Sequence, residues 1–312
     1  MSTTRGDSGG SGSRSGSEVG PSSGSGFSSD DNPPPSAAPS SMRFSLPAPA
    51  PEPSFFAYHY ARLKRFAAHL GEVVILTGQT ARSITKRPLE LRSTLQQLDS
   101  LGVKSMGIVA VTSLFIGMVM TIQFAFGLRR FGGVEYIPRV IILSFCRELA
   151  PTLTAIIVGG RIASGMAAEV GAMNVTEQVD AIRALGADPA KKLVLPRVLA
   201  AIIVMPLLSV YALALGTLGA MLICAGQYDI KPTLFISSSL EVVRLGDFFS
   251  GLAKTPVFGF LIAIIGCHFG LRTSGGTEGV GLSTTRTVVA VSIAILIADF
   301  FLTKLLMLLQ GA

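Results

Sequence analysis

Apolar positions along this chain gather into five long runs, at about 104–127, 141–167, 193–225, 252–271 and 287–309. Each is close to the ~20 residues that a bilayer core requires. None alternates with the two-residue period of a half-buried strand, and a helix satisfies its own backbone groups in lipid. The pattern therefore predicts an all-α, polytopic membrane protein. The third run is long enough to tilt or to include an interfacial first turn.

Two segments precede the runs. Residues 1–54 are Gly-, Ser- and Pro-rich with almost no apolar periodicity, too little to offset the entropy of ordering, which predicts a disordered tail. It has no apolar core of a secretory signal. Its Ser content suits a plastid transit peptide, whereas Asp7, Glu18, Asp30 and Asp31 argue against one. Residues 55–98 mix Phe, Leu and Val with Arg62, Lys64, Arg65, Arg82, Lys86 and Arg87, at roughly helical spacing but in runs too short to span. That pattern predicts a helix lying in the headgroup plane, broken or restarted at Pro88. An ordinary soluble amphipathic helix fits it too. Residues 99–312 form the expected transmembrane domain.

Composition sharpens this picture. Of 312 residues, 49% are hydrophobic and 14% charged, and the net charge is +7. Many Lys and Arg flank the apolar runs, so the charge reads as topology and not as nucleic-acid binding. The regions before run one, between runs two and three, and between runs four and five are basic, which assigns them to the cytoplasm. Arg129, Arg130, Lys231 and Arg244 oppose that assignment. Cys146, Cys224 and Cys267 lie within or at the edge of apolar runs without metal-like spacing, as small buried side chains do.

The most informative stretch runs from Arg147 to Pro189, RELAPTLTAIIVGGRIASGMAAEVGAMNVTEQVDAIRALGADP. It passes from a charged span directly into an amphipathic loop. Asn174 and Glu177 have the spacing of a capping box, Gly186 and Pro189 that of a helix stop. Val179, Ile182 and Leu185 are expected on one face, Glu177, Asp180 and Arg183 on another. Such a helix suits docking to a soluble partner, and equally a plain linker between spans.

Ionisable residues also occur inside the runs: Arg147, Glu148 and Arg161 in the second, Asp299 and Lys304 in the last. A charge at the bilayer centre costs about 2.5–3.5 kcal/mol on insertion scales, so these groups are expected to pair or to face a cavity. Arg147 is a candidate for an anionic headgroup, and Glu148 for pairing with a basic residue across the bundle. Internal ion pairs holding helices together remain an alternative. Gly159, Gly160, Ala163, Ser164 and Ala167, with Gly216, Thr217, Gly219 and Ala220, allow close helix contact. The glycine-rich loop 272–286 lacks G-K-[ST] and a preceding strand, so it is no P-loop. With no catalytic constellation in the chain, any ATP that drives it must be bound by another.

From about Tyr58 onward the chain resembles the MlaE/YrbE family of lipid ABC-transporter permeases. The resemblance rests on residues 147–189 and on SLFIGMVMTIQ (113–123), LPRVLAAIIVMPLL (195–208) and GLSTTRTVVAVSIAILIADFFLT (281–303). It implies an N-terminal interfacial amphipathic helix, five transmembrane helices and a short cytoplasmic coupling helix. It further implies a homodimer bound to a cytoplasmic ABC ATPase, often with a STAS-domain subunit, and to a periplasmic MCE-domain hexamer. Such complexes move phospholipid between inner and outer membranes. ATP and Mg would be used by the ATPase, with no cofactor on this chain. The setting would be a bacterial inner membrane or a chloroplast inner envelope.

By the same resemblance Arg147, Glu148, Arg161, Asp299 and Lys304 are substrate-binding candidates. Glu169, Asn174, Thr176, Glu177, Gln178, Asp180 and Arg183 are candidates for coupling to the ATPase. Two competing readings fit the charges in the spans: an ion-coupled secondary transporter, and a membrane scaffold that only anchors an MCE protein.

Overall fold

The computed structural model describes residues 71–83 and 91–309, together with Lys64 and Ala68. The tail 1–54, Pro88 and most of 55–70 lie outside the described residues. All regular structure among the described residues is helical, and five helices are long and apolar enough to cross a membrane. A short helix α1 (71–83) precedes α2 (Leu91–Arg129). A 3-10 turn at Val134–Tyr136 then enters α3 (Ile137–Ser144), a π-helical segment (Phe145–Leu153) and α4 (Thr154–Val175). Helix α5 (Gln178–Ala184) and a π turn (Ala190–Val194) lead into α6 (Leu195–Gln227). Helices α7 (Pro232–Val242), α8 (Leu245–Leu271) and α9 (Gly276–Leu309) follow.

The helices depart from the sequence pattern at several points. Helix α2 begins at Leu91, so residues 91–98, read as part of an interfacial region, are the first two turns of the first long helix. Most of the glycine-rich loop 272–286 is likewise helical: α9 starts at Gly276, and only Thr273–Gly275 connect it to Arg272. Hydropathy misses such turns because a helix that projects beyond the apolar layer carries polar side chains there. Helix α7 was not expected at all; Pro232 at its first turn supplies the helical φ that starts it.

Packing follows small residues. The buried positions of α2 are Leu101, Ser105, Val109, Ser113, Gly117, Thr121 and Ala125, every fourth residue. That spacing makes one continuous stripe, and its hydroxyls spend their protons on the helix itself: Ser105 on Leu101 O (2.6 Å), Thr121 on Gly117 O (2.8 Å). The stripe lies along α6, where a Cβ at Gly117 would strike the carbonyl of Gly216 and one at Gly219 the carbonyl of Leu114. Close approach of this kind replaces the hydrophobic drive that lipid does not provide. Helix α6 packs on α8, α8 on α4, and α9 closes the bundle against α4 and α8. The outward faces of α2 and α9 carry exposed Phe115, Phe126, Ile293, Phe300 and Phe301.

The ends of the bundle are tied by polar contacts. Arg272 donates to Glu72 of α1 (2.6 Å), and Asn174 Nδ2 to Thr273 O (3.0 Å). These contacts bring α1, the α4–α5 junction and the α8–α9 connection to one end of the bundle. Helix α7 and the π-helical segment lie toward the other end, where Arg139 pairs with Glu241 (2.5 Å).

Candidate functional site

Pro151 shapes the polar site. It has no N–H, so the carbonyl four residues back, that of Arg147, loses its helical donor. The chain widens into the π-helical segment Phe145–Leu153 around this defect. The freed Arg147 carbonyl accepts from Lys254 Nζ of α8 at 3.2 Å. Gly251, one turn earlier on α8, allows the approach: a Cβ there would collide with the Cys146 carbonyl. A local backbone defect thus becomes the landing point for a buried lysine.

Lys254 is 2% exposed and lies at the centre of the cluster. Its ammonium donates to Glu148 Oε1 and Oε2 (2.8 and 2.9 Å), to Asp299 Oδ1 of α9 (3.3 Å) and to Thr303 Oγ1 (2.6 Å). Thr303 in turn donates to Glu148 Oε1 (3.1 Å). Arg147 turns toward Asp247, in the first turn of α8, at 3.6 Å. Asp247 also accepts from the Arg244 N–H (3.2 Å), which closes the start of that helix. Three carboxylates therefore meet two cations, and the π-helical segment, α8 and α9 are joined at one level. A buried charge survives only when paired and hydrogen-bonded, and each charged group here is paired.

Of the five substrate-binding candidates, Arg147, Glu148 and Asp299 meet in this cluster. Lys304 does not: it is exposed, one residue past Thr303. Arg161 does not either; it lies toward the α5 end and donates to Ser105 Oγ of α2 at 2.6 Å. The cavity at the cluster measures about 10 Å³, room for one water and not for a headgroup. Lys254, Asp247 and Thr303 escaped the sequence reading. Lys254 was findable: it is an ionisable residue within the LAKTPVFGF run, the same signal that marked Glu148.

The coupling candidates fall at the other end of α4. The expected capping box is absent. Asn174 belongs to the last turn of α4 and is spent on Thr273, while Glu177, at φ +59°, makes no side-chain cap. A helix that continues through Asn174 cannot also be capped by it. Thr176 Oγ1 returns to Ala172 O (2.8 Å) as the chain leaves the helix. The expected apolar face is also incomplete: Val179 is buried, Ile182 half-buried and Leu185 85% exposed. Glu177, Gln178, Asp180 and Arg183 are all exposed, and Asp180 pairs with Arg183 (2.7 Å). Gly186, at φ +76°, ends α5 as expected, with Ala187 N–H on Ile182 O (3.1 Å) and Gly186 N–H on Arg183 O (2.9 Å). Glu169 stands apart from α5, within α4, and accepts from the buried Arg197 of α6 (3.1 Å).

The model of the MlaE permease family matches residues 94–305, from the first turn of α2 to near the end of α9. The chain belongs to the MlaE permease family. A probable ABC transporter permease protein of Synechocystis sp. is 45% identical over 74% of this chain and 88% of its own length. The chloroplastic protein Trigalactosyldiacylglycerol 1 of Arabidopsis thaliana is 41% identical over 77% of this chain and 68% of its own. A probable ABC transporter permease protein of Rickettsia typhi is 41% identical over 78% and 93%. The chain is thus a multi-pass membrane permease. This MlaE permease carries its buried polar cluster and its exposed α5 at opposite ends of one helix.

Proposed function

We propose that this permease is the membrane subunit of an ATP-driven phospholipid transporter. In this reading two copies pair, a cytoplasmic ABC ATPase docks on α5, a STAS-domain subunit accompanies it, and an MCE-domain protein receives lipid on the opposite side. Lipid moves between two membranes of an envelope. The host membrane is a bacterial inner membrane, or a chloroplast inner envelope, which the likeness to a chloroplastic protein supports.

One observation carries the reading: α4 and its π-helical extension form a single continuous element from α5 to the Lys254 cluster. Force on α5 reaches a charge-paired tie between the π-helical segment, α8 and α9. The tie is closed, with no headgroup-sized space. Transport then requires it to open, freeing Arg147 for a phosphate and Lys254 from its carboxylates.

The test is charge reversal at α5. Asp180→Lys in the complex with its ATPase is expected to abolish lipid-stimulated ATP hydrolysis while the purified permease keeps its thermal stability. Normal stimulation in that variant would remove α5 from the energy path. The Glu148–Lys254–Asp299 network also suits an ion-coupled carrier. That reading expects the chain alone to move lipid in proteoliposomes under a proton gradient.

A further inference from the structure

Three cations within this bundle meet carboxylates: Arg147 faces Asp247, Arg197 faces Glu169, and Lys254 faces Glu148 and Asp299. Lys104 and Arg161, both exposed, differ. Among the described residues neither comes within ion-pair distance of an acidic side chain; Lys104 Nζ approaches Ser100 Oγ at 3.4 Å, and Arg161 donates to Ser105. Both line the same cleft of about 500 Å³, a size that admits a small ligand. Its floor is α4, and α2 and α9 contribute its walls. The one carboxylate among the lining residues, Glu169, is already held by Arg197. Among the described residues, the cleft therefore carries two cations with no carboxylate in ion-pair reach.

Its height is fixed by the helices. Lys104 stands directly before the apolar run of α2, and the contact of Arg161 with Ser105 sets the guanidinium at the same level. On α9, Thr284 of the cleft stands just before Arg286, where the apolar run of that helix begins. The cleft thus opens where apolar helix gives way to polar, the level of lipid headgroups on the α5 side. Val103 and Met106 on the same part of α2, and Val288 and Val289 one turn along α9, are exposed and apolar. Cations beside such surfaces fit a phosphate that carries acyl chains.

We propose that this cleft binds the phosphate of an anionic phospholipid in the leaflet on the α5 side. Arg161 provides the planar fork, Lys104 a point charge, and Ser100 a hydroxyl, while the hydroxyls of Ser164 and Thr284 are spent on the carbonyls of Arg161 and Gly281. The site is distinct from the Lys254 cluster and stands whether or not the chain moves lipid.

The experiment places the full-length protein in nanodiscs of phosphatidylcholine, with or without phosphatidylglycerol, and counts retained lipids by native mass spectrometry. The wild type is expected to retain phosphatidylglycerol over phosphatidylcholine. Arg161→Gln and Lys104→Gln are each expected to weaken that retention about tenfold, the effect of losing one charged hydrogen bond. Arg92→Gln, an exposed cation outside the cleft, should change nothing. Because Lys104 is exposed, its variant keeps the fold even if the Arg161 variant does not. Equal retention of both lipids by the wild type, or unchanged retention in both cleft variants, overturns the proposal. So does displacement of phosphatidylglycerol by millimolar inorganic phosphate, which would make free phosphate the ligand.

Discussion

At one end of α4, Glu148 lies in a widened turn and shares Lys254 with Asp299, residues 106 and 45 positions from that lysine. At the other end, Asp180 and Arg183 pair three residues apart, both more than half exposed. The first contact closes three helices together and exists only after the bundle has assembled. The second would form in an isolated helical turn. In lipid the first is obligatory, because an unpaired charge there has no water to fall back on. The second is weak and replaceable, as a surface that must exchange partners requires. The same helix thus carries a rigid end and an end free to be docked.

This contrast can be broken most strongly at Lys254. Lys254→Met leaves Glu148 and Asp299 facing each other without a cation, and unfolding in detergent is expected to become easier by about 3–5 kcal/mol. Adding Glu148→Gln and Asp299→Asn should recover most of that loss. A single variant as stable as the wild type would mean that the cluster is not a tie. A smaller effect is expected at the docking end from Gly186→Ala. A Cβ at φ +76° costs roughly 1–2 kcal/mol locally, and hydrogen exchange of α5 should rise while the amides of α8 stay protected. The smallest belongs to Asp180→Ala, which removes an exposed pair worth about 0.2–0.5 kcal/mol. Its melting curve should overlay that of the wild type, and a large shift would show that α5 is built into the core.

The five spans were legible because each apolar run exceeds the length of a soluble core helix. Gly186 was legible as a stop because only a residue without Cβ adopts that backbone cheaply. The capping spacing of Asn174 misleads because α4 continues about two turns past its apolar run, and Asn174 in its last turn is held by Thr273. The role of Lys254 was not drawn from its run, although an ionisable residue there asks for a partner. Arg161 was grouped with Arg147 as substrate-binding, yet 14 positions along a helix separate them by about 20 Å.

Sequence alone determined that the chain is a helical membrane protein, that it carries ionisable residues in its spans, and that a short helix stopped at Gly186 follows the second span. These follow from local rules: span length, backbone satisfaction and the φ demanded at a turn. Only the tertiary structure decided which charges meet. Glu148 and Asp299 share a lysine of α8, while Lys104 and Arg161 are left facing an open cleft. Partnership between helices depends on where glycines such as Gly251 and Gly117 let backbones touch, and that distance is not written in the order of residues along any one of them.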